Sequence, residues 1–255
     1  MEQSPPPPLL APGTPSSSLG ARLMNVFAMP GEVFEEIKAR PISPANWLLP
    51  VALAALVGVV YITVVFSQET VLQQMREMQD RAMEKKLEKL PKEQREKVRE
   101  MADKFRSPAL MKIFGSVAAV GGSFAWLFFS AFLVWLIGTR FFKAEYAYMK
   151  AVEVCGLASM ISVLGGIIAM LLVVIMGNML MTPGPALLIP HFDAANKVHL
   201  LVSALNVMTF WYIGVLAVGL AKLSNVSWIK SFLWLLIPWA VFRSGLILSG
   251  FAQGM

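Results

Sequence analysis

Residues 113–138 read IFGSVAAVGGSFAWLFFSAFLVWLIG, with no charge between Lys112 and Arg140. A helix needs about 20 mostly apolar residues to cross a ~30 Å hydrocarbon core. This run passes that test with residues to spare, so it decides the class of the molecule. Three further uncharged runs pass it: Trp47–Phe66, Val154–Met181 and Leu200–Ala221. A fifth, Ser231–Ala252, passes only if Arg243 is included. Backbone N–H and C=O groups in lipid must find partners inside their own segment, so each run is expected to be helical. The predicted fold class is all-α: a polytopic membrane protein, a bundle of five transmembrane helices over 47–255.

Composition agrees. Of 255 residues, 56% are hydrophobic and 15% charged, against roughly 45–50% and 25% in soluble domains. The mean hydropathy is +0.63. Cys155 is the only cysteine, which excludes a disulfide scaffold. The formal charge is +6. Its basic residues lie mainly between apolar runs, where they orient a chain in a bilayer, so nucleic acid is not an expected partner.

The segments outside the spans differ in kind. Residues 1–18 hold six prolines and four serines and no apolar core. They are expected to be a disordered tail and not a signal peptide. Residues 19–46 read as amphipathic helices. Leu19, Leu23, Val26 and Phe27 fall at helical spacing, and Pro30 suits the first turn of a second helix. Phe27, Val33, Phe34 and Ile37 form an apolar face expected at the membrane interface, with packing on the protein's own spans as the alternative. Residues 67–112 carry 12 Lys/Arg and 9 Asp/Glu without a glycine. Acid-first pairs at i,i+4 such as Glu77/Arg81, with Pro91 as a break, predict a charged helical hairpin between the first two spans. Residues 182–199 predict an irregular loop around Pro183, Pro185 and Pro190.

Lys and Arg near span ends favour the cytoplasmic side. With the N-terminus inside, eight basic residues outside the insert are cytoplasmic: Arg22, Lys38, Arg40, Arg140, Lys143, Lys150, Lys222 and Lys230. Lys197 and the 12 of the insert oppose them. We read the insert as a folded unit and expect a cytoplasmic N-terminus and a C-terminus on the opposite side.

Candidate chemistry is sparse. Arg243 is the one charge well inside a span, and such charges mark structural pairing or a functional polar site. Its candidate partners are Asn206, Asn178 and carbonyls freed at Pro238. His191, Asp193 and His199 match no metal signature. Glu145 and Glu153 are expected to pair with Lys143 and Lys150 at the surface. No phosphate loop, HExxH or GxSxG is present, so no catalytic residue, cofactor or metal is expected. Small residues such as Gly115, Gly121 and Gly122, Ser162-x-x-x-Gly166 and Gly245-x-x-x-Ser249 suit close helix approach, within one chain or in a homo-oligomer.

The layout resembles the Yip-domain family of Ypt/Rab GTPase-interacting membrane proteins, in its bacterial type. A segment of the form F-x-x-P-x-x-x-F-x-x-I-x-x-x-P occurs as Phe27, Pro30, Phe34, Ile37 and Pro41. Five spans follow, the first two separated by a charged insert. The stretch Leu205–Tyr212 leads into Val215–Ala221 as in the family's fourth span, and the chain ends soon after the fifth. The Tyr-Gly-Pro type motif of eukaryotic members is missing, which argues against direct GTPase recruitment. The resemblance implies a non-enzymatic protein of a bacterial inner membrane with its N-terminus in the cytoplasm. The expected function is a scaffold or adaptor that binds lipids, or proteins through 19–46 or 67–112. The competing function is a passive channel or small-solute transporter around Arg243.

Overall fold

The computed structural model describes residues 17–88, 90–91, 94–98, 107–178, 181–190, 192–193 and 196–249. The proline-rich tail up to residue 16, His191 and, of the predicted second insert helix, residues 92–93 and 99–106 lie outside the described residues. Nine α-helices are described: α1 Leu19–Ala28, α2 Pro30–Ala39, α3 Ala45–Val65, α4 Glu69–Leu87, α5 Pro108–Leu136, α6 Tyr148–Met176, α7 Lys197–Ala204, α8 Val207–Ser224 and α9 Trp228–Leu248. A π-helical turn, Ile137–Phe141, prolongs α5, and a 3₁₀ turn, Pro185–Leu188, precedes α7. No strand occurs among the described residues.

Five helices, α3, α5, α6, α8 and α9, are long and apolar enough to cross a membrane. Their outer faces carry large apolar side chains, including Val117 and Phe129 on α5, Ile175 on α6 and Val241 on α9. In water such faces would be a liability; in lipid they are the expected surface.

The helix ends follow local chemistry. Ser18 Oγ accepts the Ala21 N–H at 3.1 Å and starts α1. Pro30 occupies the first turn of α2, where its missing N–H costs nothing. Gly177 closes α6 in the left-handed region at φ +61°, and Asn225 closes α8 at φ +52°. Both residue types tolerate that backbone.

Several helix bounds differ from the sequence reading, and two of the differences bear on the site. The third span begins at Tyr148, not Val154. Its 29 residues measure about 44 Å, so its first turns project beyond the hydrocarbon and can hold Lys150 and Glu153. The fourth run is not one helix. It breaks at Leu205–Asn206, where the Asn206 side chain accepts the Met208 N–H at 2.9 Å and starts α8 anew.

Helix α6 is the axis of the bundle. Val154, Cys155, Leu157, Ala158 and Ile161 are all fully buried on it. Helix α3 lies along α6 in the same direction, so close that a Cβ at Gly156 would collide with the backbone of Trp47. At Gly166 a Cβ would stand 2.8 Å from Val57. Helix α8 runs the other way, with Gly219 against Val154. Apolar burial drives helix association weakly in lipid, and small residues act by letting backbones approach. Gly121, Gly122 and Gly245, by contrast, face open space.

The bundle has two distinct ends. At one, α1 and α2 lie across α6 and α8 as a cap. At the other, α4 folds back on the ends of α3 and α6. Val71 is buried with Val65, Phe66 and Val173, and the Gln74 amide donates to the Gly177 carbonyl at 2.9 Å. Lys197 at the start of α7 donates to the Leu248 carbonyl at 2.7 Å, which places the end of α9 at this insert end too.

Candidate functional site

The expected interface face of the cap is turned inward. Val26, Val33, Phe34 and Ile37 have 0–3% of their surface exposed, packed in the main core with Phe27 against its edge. Phe34 reaches 3.3 Å from the Cβ position of Gly219, and Phe27 meets Trp211 edge-on at 5.9 Å. The cap is therefore a layer of the protein, not a helix pair afloat on lipid. The reason is steric: Gly219 leaves room for Phe34 of α2 to settle on α8.

Beneath the cap lies a polar staple. Glu153 is fully buried. One carboxylate oxygen accepts the Ser43 N–H at 2.8 Å and the Asn46 amide at 2.7 Å. The other accepts from Lys150 Nζ at 2.8 Å. Lys150 also donates to the carbonyls of Ile37 and Arg40, each at 2.7 Å. All three of its protons are thus used, two of them on carbonyls at the C-terminal end of α2, where the Ile37 carbonyl otherwise takes only a long bond from the Arg40 N–H at 3.4 Å. Arg22 Nη1 reaches from α1 to the Asn46 side-chain oxygen at 2.7 Å. Four polar side chains so join α1, the end of α2, the 40–46 link, α3 and α6. The expected surface pairing of Glu153 with Lys150 is corrected here: the two do pair, but in the interior, because α6 starts a turn and a half early and the cap covers that turn. Glu145 is exposed in the link before α6.

The rim of the cap is charged. Glu35 pairs with Lys222 of α8 at 2.9 Å, Arg40 with Glu36 at 3.1 Å, and Lys38 donates to the Asn225 side chain at 2.6 Å. The Ser17 hydroxyl bonds Glu36. Nearby, Tyr146 tucks its ring against Gly138 and donates to the Val134 carbonyl at 2.9 Å. Burial pushes the Tyr146 phenol up to about 12, so it stays a donor at neutral pH.

With this geometry in hand, comparison with protein families is decisive: the Yip1 domain model matches residues 24–249. The chain belongs to the Yip1 domain family. Searches of curated proteins and of solved structures returned no match. Within the Yip1 domain, Phe27, Pro30, Phe34 and Ile37 make up the cap just described, and Pro41 lies in the link that Glu153 holds.

The other predicted residues of the domain do not converge. Arg243 lines a groove between α7 and α9, at the insert end. Asn206 spends its side-chain oxygen capping α8. Asn178 follows the end of α6. The Asp193 N–H donates to His199 Nδ1 at 3.0 Å, and no group of three or more metal-ligating residues occurs among the described residues. The sequence signal that would have found the staple is an acid, Glu153, set between Val152 and Val154 at the mouth of a span.

Proposed function

We propose that this Yip1-domain protein is a non-enzymatic membrane scaffold or adaptor whose working surface for a protein partner is the outer face of the cap. The observation that carries this is the Glu153 staple. It fixes α1 and α2 to the bundle by charge-assisted hydrogen bonds and leaves Met24, Glu32 and Glu35 on a rigid, exposed platform. A preformed surface binds without the ordering cost that a loose amphipathic helix would bear. This reading puts the platform in the cytoplasm of a bacterial cell, on the inner membrane. In support, Lys143 and Lys230 share that end of the bundle with the cap.

The test is site-specific photo-crosslinking in native membranes, with the probe at Met24 or Glu32 and a lipid-facing control at Val117. A discrete partner band from the cap positions, lost on Glu32→Lys/Glu35→Lys and absent from Val117, is the expected result. Bands identical at all three positions, or self-adducts alone, would overturn the proposal. So would solute flux through reconstituted liposomes that Arg243→Ala abolishes, since that is the signature of a passive channel.

A further inference from the structure

From residue 194 to its end the chain contains no Asp or Glu, while it carries Lys197, Lys222, Lys230 and Arg243. Arg243 is exposed on α9, five residues before Leu248 and so about 7.5 Å below the end of the helix. A cation at that depth is unfavourable unless it finds an anion or reaches the interface. No acidic side chain of α7, α8 or α9 can supply that anion.

The guanidinium opens onto a cavity of about 440 Å³ between α7 and α9, floored by α8. Its walls are Leu201, Leu205 and Leu236, and its floor is Phe210 edge-on to Trp239 at 5.6 Å. Apart from Arg243 and Ser244, the lining side chains are apolar. The volume is in the range that holds a small ligand. At the neighbouring helix ends stands Lys197, bonded to Leu248. An occupant must therefore be apolar along its length and anionic at one end, and must arrive from the bilayer. We propose that this groove seats an acyl chain of an anionic phospholipid, with its phosphate ion-paired to Arg243.

The site is independent of the cap and does not rest on the adaptor reading. Its test uses the full chain in vesicles that contain brominated phosphatidylglycerol or brominated phosphatidylcholine at equal bromine density. Trp239 emission is isolated as the difference from Trp239→Phe. The anionic lipid is expected to quench Trp239 in preference by about fivefold, the scale of one basic residue near an anionic lipid. The preference should persist in Arg243→Lys and fall to parity in Arg243→Leu, with Arg243→Gln as the substitute if the leucine variant does not fold. Ala204→Phe, which fills the groove and leaves the guanidinium in place, should reduce quenching by both lipids. Equal quenching by the two lipids in the native chain would overturn the proposal. A preference unchanged in Arg243→Leu or Arg243→Gln would do so too. Loss of the preference on adding soluble glycerol phosphate would show a headgroup site without an acyl chain, and would also overturn it.

Discussion

Glu153 and Lys150 stand 2.8 Å apart on one face of α6, and neither depends on water: the carboxylate is fully covered and the ammonium nearly so. Their remaining hydrogen bonds go to residues 37–46, more than a hundred positions earlier. A buried pair of this kind seldom adds stability over a well-packed apolar pair, but removal of one partner strands the other. The pair's value to the fold is positional, since it sets where the cap sits.

Glu153→Leu should destabilise the protein by about 3–5 kcal/mol, because Lys150 and Asn46 lose their acceptor in the interior. The double variant Glu153→Leu/Lys150→Leu should recover part of that loss. Equilibrium unfolding in mixed micelles across the full double-mutant cycle measures the coupling. A coupling near zero would remove the staple from the account.

Phe34→Ala should release the cap while the five spans stay inserted. The loss is about 3–5 kcal/mol for a fully buried ring, concentrated in α1 and α2. Limited proteolysis around residues 29–46 should become much faster than in the native chain. Met24→Ala, at a site with 69% of its surface exposed, should leave the rate unchanged.

Gly156→Ala should lower the unfolding temperature far more than its single methyl suggests, because the added carbon meets the Trp47 backbone and α3 must move. Gly214→Ala and Gly245→Ala add the same methyl to open space and should be neutral to within about 0.5 kcal/mol. Thermal melts of the three variants in one detergent decide it.

The two ends of the bundle should label from opposite sides of the membrane. In a Cys155→Ala background, single cysteines at Glu32, Lys143 and Lys230 should react with an impermeant maleimide added to one face. Cysteines at Glu77 and Lys197 should react only from the other. Reaction of Glu32 and Glu77 from the same face would contradict the arrangement of α3 against the insert.

The spans were legible because bilayer thickness imposes a length that composition reveals directly. Their limits were less so, for identifiable reasons. Hydropathy stops at Glu153, although the helix continues back to Tyr148, because a charge reads the same whether it meets water or a buried partner. The break before α8 rests on one capping side chain, Asn206, which a window of apolar neighbours conceals. The cap's spacing disclosed two amphipathic helices but not what they face, since lipid and a protein groove ask for the same side chains. The sequence marked Glu153 as an unusual acid at the mouth of a span, but not the whole staple, because apart from Lys150 its partners are more than a hundred residues away. Nothing local marks Ser43 or Asn46 as ligands of a carboxylate.

The bond from Gln74 to the Gly177 carbonyl has a mechanical consequence. It ties the first turns of the charged arm to the foot of the central helix, at the glycine where that helix stops. Tension or torque on the arm is delivered to the axis of the bundle rather than lost in a slack tether. The opposite foot of the same rod carries the cap, so the two faces of the membrane are joined through a single stiff shaft.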